Sequence, residues 1–391
     1  MQHRTFLSIL KSFPIETYVI FIPSLLLLSL VYVGIGTSEW SGINEYHFLL
    51  VLKKILFNNP TFGNIFIYPL AYLIFRYIFD TLPLWDKRNQ TSAHLLNQFF
   101  GPRRRMAILC TLYWIIGIFA FCYLLVVGLG LLFHMFAPPE IAQVSREMMQ
   151  IDHALFGGYP VYALQFLGHI PLVTPLIVYA YFYTPLFLGI IFLILLFFRV
   201  RLFRHFFLTT TFAFFLCFPL WYMFPALTPN EMYRHNLFAL TIPSDIKSEA
   251  LAHPSGPLVE TMMTNIETIW IDPDRTTIAV TTMPSMHVVW GIEAALFGYL
   301  LIRRYALFFA LYCCLNILGT MLLLQHYAID VIVGALVGAV SLLLAYTALR
   351  YERRYMNDNL GIVHALGAFA RDAVRLRALI ERAYARLLRS F

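Results

Sequence analysis

Apolar runs about 20 residues long, the length a helix needs to cross a bilayer, recur along this chain. They lie near 17–36, 63–81, 106–136, 172–198, 205–226, 285–302, 306–325 and 329–349. Within lipid no water can satisfy the backbone, so such runs are confined to helices or closed barrels. Runs this long and continuous are helical, since barrel strands alternate over about 10 residues. The expected fold class is therefore all-α: a polytopic membrane protein of about eight transmembrane helices. The run 106–136 is long enough to tilt or to project beyond the bilayer. A shorter stretch, 46–57, carries Lys53 and Lys54 and reads as interfacial. Only 13% of residues are charged, against about 25% in soluble domains.

Basic residues give the orientation. Arg4 and Lys11 precede the first run. Lys87, Arg88 and Arg103 to Arg105 follow the second, Arg199, Arg201 and Arg204 the fourth, and Arg303 and Arg304 the sixth. The C-terminal stretch is again rich in arginine. Alternate connections are thus basic, and under the positive-inside rule both termini are expected to be cytoplasmic. The net charge of +7 follows membrane topology and does not form a nucleic-acid footprint. No cleavable signal is evident. The cysteines all fall inside apolar runs, with no spacing for a disulfide framework or a metal site.

The segments that carry chemistry all arrive at one membrane face on this map. The fifth run ends at Phe224-Pro225-Ala226-Leu227-Thr228-Pro229-Asn230. The sixth begins at Pro284-Ser285-Met286-His287, and the seventh ends at Gln325-His326, just before Asp330. Polar residues at a membrane boundary are costly unless chemistry needs them. His326 and Asp330 are four apart, so in a helix they share a face. There Asp330 would accept a hydrogen bond from one ring nitrogen and leave the other free as a nucleophile. His287, arriving on another helix, would protonate a leaving group. The turn at Pro284-Ser285-Met286 opens a helix whose free N–H groups favour an anion.

Pro-Ser-Met-His at 284–287, followed by His-Tyr-Ala-Ile-Asp at 326–330, resembles the second and third signature motifs of the type 2 phosphatidic acid phosphatase superfamily. The resemblance covers about 205–349. It implies that fold's catalytic helix bundle, with His326 as nucleophile, Asp330 as its orienting partner and His287 as acid/base. Asp152 to Gly157 is similar to a segment upstream of the core in some members.

The departures from that pattern are informative. Ordinary members carry a Lys and an Arg-Pro in a first motif and an Arg six residues before the nucleophile. Here that last position is Thr320, and 225–230 has no Lys. The forms Met-Pro-Ser-Met-His and Gln-His-Tyr-x-x-Asp look closer to the inositol phosphorylceramide synthase branch, the aureobasidin-resistance-like proteins. That branch moves a phospho-headgroup between lipids, which implies a transferase.

With those cations missing, a replacement is expected in the long outer loop 227–283, where Arg275 and Arg234 are the foremost candidates. The residues expected to hold substrate are Ser285, Arg275, Arg234, Asn230 and Tyr327. Glu293 is an intramembrane carboxylate and a functional candidate by position. Tyr179, Tyr181 and Tyr183 read either as an aromatic belt or as the lining of a cavity. Asp152 and His153 read either as a helix cap or as a headgroup contact. Asn316 and Gln325 read as inter-helix hydrogen-bonding groups.

Three regions are expected: 1–171, an N-terminal transmembrane region with interfacial segments; 172–349, the catalytic core; and 350–391, a basic amphipathic cytoplasmic tail. The partners are a phospholipid donor and a lipid or alcohol acceptor, with no cofactor, no metal and no nucleic acid. The active site is expected on the outer face of what reads as a bacterial inner-membrane protein. Rival readings are a lipid phosphate or prenyl pyrophosphate phosphatase, with water as acceptor; a terpene cyclase-like use of the scaffold; and a lipid transporter.

Overall fold

The computed structural model describes residues 14–34, 138–234, 242–270 and 282–355, with isolated positions between 116 and 124. No β-strand occurs among them. A π-helical turn, Thr17–Phe21, leads into α1, Ile22–Gly34. The next helices are α2, Pro138–Phe156; α3, Pro160–Ala163, continued by a 3-10 turn over Leu164–His169; α4, Val173–Phe182; and α5, Thr184–Phe198. They are followed by α6, Val200–Met223; α7, Ser244–Ala252; and α8, Pro257–Trp270. The chain then forms α9, Met286–Leu301; α10, Ala306–Leu322; and α11, Ala328–Tyr355.

At the centre stands α9, packed against α5, α6, α10 and α11, while α6 lies along α11 and α10 along α4. The sequence allows this because α9 is apolar on all sides, with buried Val288, Val289, Ala294 and Phe297. Ser285 caps it, its hydroxyl accepting the Val288 N–H at 3.4 Å. Glycines let the helices close up. A Cβ on Gly334 of α11 would stand 2.6 Å from the Ser285 carbonyl oxygen, and one on Gly319 of α10 the same distance from Tyr181 Cβ on α4. Side chains at these two positions would push the site-bearing helices apart.

Every apolar run from 172 onward is helical, but not as eight simple spans. Among the described residues three helices are long and apolar enough to cross a membrane: Arg201–Met223, Arg303–Leu322 and Ala328–Tyr355. The run 172–198 is a broken span, bent by 58° between α4 and α5. Pro185 explains the break. In a continuous helix its ring would strike the Tyr181 carbonyl, and it has no N–H to offer. The sixth run forms α9, which is apolar but only 16 residues long. The expected count of eight is therefore not reached among the described residues. The runs 63–81 and most of 106–136, together with the expected amphipathic tail beyond 355, lie outside them.

Two further expectations are corrected. The described part of the loop 227–283, expected to be an outer loop, contains two helices, α7 and α8, with α8 packed on α4 and the 3-10 turn. Val259, Met262, Met263 and Ile266 form its buried stripe, the periodicity of an amphipathic helix. The last helix does not stop at 349 but continues to Tyr355, because Glu352 is buried and paired. Arg204 on α6 donates to both oxygens of Glu16, at 2.7 and 2.8 Å, and at 2.7 Å to Glu352. Glu352 also accepts the Ile15 N–H at 3.1 Å. This cluster closes one end of the bundle; the histidines stand at the other.

Candidate active site

The chain ends of α6, α9, α10 and α11 meet at the second end, and backbone hydrogen bonds lock them together. The Asn230 N–H donates to the Leu324 carbonyl at 3.0 Å, and the Ser285 N–H donates to the Asp330 carbonyl at 3.2 Å. The N–H groups of Gln325 and His326 both donate to the Thr320 carbonyl, at 3.0 and 3.1 Å. Trp221 Nε1 donates to the Pro284 carbonyl at 3.1 Å, and Thr282 Oγ1 to the Ala226 carbonyl at 3.1 Å. The Met283–Pro284 bond in this turn is cis. His326 is thus carried by a short segment held from three sides.

His326 is 6% exposed, and its Nδ1 lies 2.9 Å from the Thr282 carbonyl oxygen. A carbonyl only accepts, so Nδ1 carries the proton and Nε2 presents a lone pair. Sequence spacing assigned this bond to Asp330. Its Oδ2 is 3.6 Å from Nδ1, too far for a good hydrogen bond, and instead accepts the Tyr327 N–H at 2.9 Å. The reason is that α11 begins at Ala328, so His326 lies before the helix and does not share a face with Asp330. Asp330 Oδ1 has no hydrogen-bond partner among the described residues. Burial, the larger effect, pushes the His326 imidazole down to about 4, and the Thr282 carbonyl pulls it back only in part. The ring is therefore neutral at physiological pH.

The two imidazoles face one another with ring centroids 5.9 Å apart. His287, in the first turn of α9, is held on three sides. Tyr181 stacks on it at 4.4 Å and 24°, and Trp290 meets it edge-on at 5.2 Å. Asn316 Nδ2 donates to its carbonyl at 2.8 Å, while Asn316 Oδ1 accepts from Thr184 Oγ1 at 2.6 Å. Tyr181 lies in the last turn of α4, just before the break made by Pro185, so the broken span sets this ring against the imidazole. Gly291 accommodates the Asn316 amide, since a Cβ there would stand 2.4 Å from Nδ2. Replacing Asn316 by Leu is expected to cost about 1–3 kcal/mol, because the His287 carbonyl loses its donor. Unfolding of the variant in detergent checks this.

The remaining candidates fall as follows. Ser285 is fully buried and uses its hydroxyl as the cap of α9. Tyr327 is wholly buried in the core. Asn230 is buried beside the site segment and accepts from Arg234 Nη1 at 3.3 Å. Arg234 also pairs with Glu260 of α8, which ties the outer-loop helices to the site. Arg275 lies outside the described residues. Of the tyrosines, Tyr181 is buried at the site, while Tyr179 and Tyr183 are exposed and stack on each other at 5.8 Å. Asn316 joins helices as expected. Gln325 does not, since its amide donates locally to the Leu323 carbonyl at 3.0 Å. Glu293 is fully buried and accepts from Thr210 Oγ1 at 2.9 Å. No group of three or more potential metal ligands is found among the described residues. The Thr282 carbonyl was invisible to sequence reasoning, since a carbonyl has no residue signature; Tyr181 was a candidate cavity residue, but its pairing with His287, 106 positions later in the chain, was not legible.

Residues 146–344, about half of the chain, match the PAP2 superfamily. The chain belongs to the PAP2 superfamily. The PAP2 match includes His287, His326 and Asp330, the residues that the fold gathers at one end of the bundle. It supports phosphatase- or phosphotransferase-type chemistry on lipid phosphates, carried out by a membrane enzyme. It is a match to the superfamily as a whole and does not select the inositol phosphorylceramide synthase branch. No curated protein and no solved structure matches the chain significantly.

Proposed function

We propose that this PAP2 protein is a lipid phosphotransferase working through a phosphohistidine. The carrying observation is the tautomer fixed at His326: Nδ1 is committed to the Thr282 carbonyl, which leaves the lone pair on Nε2, and the His287 ring stands 5.9 Å away. In the first step Nε2 bonds to phosphorus as the bond between phosphorus and the departing lipid alcohol breaks, and His287 gives its proton to that alkoxide. In the second step His287 takes the proton of an acceptor hydroxyl, whose oxygen bonds to phosphorus as the N–P bond breaks. His326 is regenerated and His287 is again protonated. A neutral, buried, oriented imidazole suits the first step, and the stacked Tyr181 ring holds His287 in place for both.

The resemblance to the inositol phosphorylceramide synthase branch favours a lipid or alcohol acceptor and an inositol phosphate headgroup. The proposed topology places both termini in the cytoplasm and the site on the outer face of a bacterial inner membrane. The test uses pure enzyme in mixed micelles with phosphatidylinositol labelled at phosphorus, with and without ceramide. Transfer predicts product labelled on the acceptor and turnover that rises at least tenfold when acceptor is added. Release of water-soluble phosphate at the same rate with or without acceptor would instead make the protein a phosphatase.

A further inference from the structure

Asp152 lies on α2, far from the histidines in sequence, yet its side chain is fully buried at the start of α11. Its Oδ2 accepts the Ala328 N–H at 2.7 Å and its Oδ1 the Ile329 N–H at 2.8 Å. The preceding N–H, of Tyr327, goes to Asp330 Oδ2 at 2.9 Å. Three consecutive donors at a helix start are therefore taken by two carboxylates, one from the helix itself and one from α2. A helix N-terminus ordinarily needs only a local Ser, Thr, Asp or Asn for its orphan N–H groups. Here the cap position falls on Tyr327, whose side chain cannot reach back to the backbone.

The arrangement is expensive. Burial, the larger effect, pushes the Asp152 carboxyl up to about 6, and the nearby Asp330 charge adds to it, although the two N–H groups pull it down. A local cap would avoid a second buried acid. What Asp152 adds is a fixed relation between α2 and the segment that carries His326, two residues before Ala328.

We propose that Asp152 is a positioning residue for the nucleophile, clamping 326–329 so that the His326 ring reaches the Thr282 carbonyl and presents Nε2 to phosphorus. The inference rests on the reading of His326 as the nucleophile. Asp152 touches no reacting atom. Its effect passes through two backbone N–H groups to the ring of His326.

The experiment uses the full-length protein in detergent and potassium phosphoramidate, a small phosphoryl donor that needs no lipid site. Labelling of His326 is followed by mass spectrometry, and amide hydrogen exchange is followed over 323–331. Asp152→Asn keeps the volume but can accept only one of the two N–H groups; Asp152→Ala accepts neither. The positioning role predicts a fall in labelling rate, per folded molecule, of at least fivefold for Asn and more for Ala. Faster exchange should be confined to 327–331. Labelling within twofold of the unmodified protein in both variants overturns the proposal. So does a loss of protection spread over all of α2 and α11 with labelling that merely tracks the folded fraction. If the unmodified protein and His326→Ala label equally little, the nucleophile reading itself has failed and the positioning role falls with it.

Discussion

Replacing His326 by alanine is expected to lower turnover by at least about a thousandfold, because the proposed covalent intermediate forms on its ring. Binding of donor lipid should change little, so the loss falls on kcat more than on KM. His326→Asn is the sharper variant, since its amide can keep a donor toward the Thr282 carbonyl while lacking a nucleophilic nitrogen. It should fold like the unmodified protein and remain inactive. Trapping of labelled phosphohistidine by acid-free electrophoresis should succeed with the unmodified chain and fail with both variants. Labelling that persists in His326→Asn would remove the nucleophile assignment.

The buried position of His326 also sets a pH dependence. Its folded value lies near 4, below the ordinary histidine value of 6.5. Between those values the unfolded chain binds the proton and the folded chain does not. Stability is therefore intact above about 6.5 and is lost as pH falls toward 4. Activity follows the same direction. The acid limb of kcat/KM that belongs to this imidazole should appear near pH 4 to 5, well under the limb of an exposed histidine.

The second large effect concerns stability. Removing the Arg204 guanidinium, for example as Arg204→Met, leaves Glu16 and Glu352 buried and unpaired. Breaking a buried pair in this way costs about 3–5 kcal/mol. Glu352→Gln should be far milder, within about 1 kcal/mol, since Oε1 still accepts from Arg204 and Ile15 while the cluster loses its excess negative charge. Thermal unfolding in a fixed detergent distinguishes the two. From Ala328 to Glu352 the helix rises about 36 Å, so whatever Arg204→Met protein remains folded should keep its activity per molecule. A loss of specific activity equal to that of His326→Asn would show that the cluster is coupled to the site.

Much of this protein could be read from the chain alone because lipid leaves the backbone few options. Apolar runs from 172 onward became helices, and Arg303 with Arg304 marked the turn between α9 and α10. Local chemistry was readable too: Ser285 opens α9 as a cap. Boundaries were less legible. The helix α6 starts five residues before the expected run and takes in Arg204, a charge that hydropathy would exclude from a span. It is tolerated because Glu16 and Glu352, from opposite ends of the chain, complete it. Residues 172–198 read as one span, although Pro185 carried the signal for a break.

By itself the sequence determined the helical class, the pair of histidines and their arrival with Asp330 at one end of a bundle. These follow from periodicity and from the cost of polar groups in lipid, both of which are local along the chain. Only the tertiary structure decided what holds each histidine. The Thr282 carbonyl, not Asp330, fixes the His326 tautomer, the Tyr181 ring and the Asn316 amide hold His287, and Asp152 caps the helix that follows His326. These partners are a backbone oxygen, an aromatic face and a carboxylate from distant segments. Their identity depends on where helices end and cross, a matter of angles and ångströms that side-chain spacing along one segment does not encode.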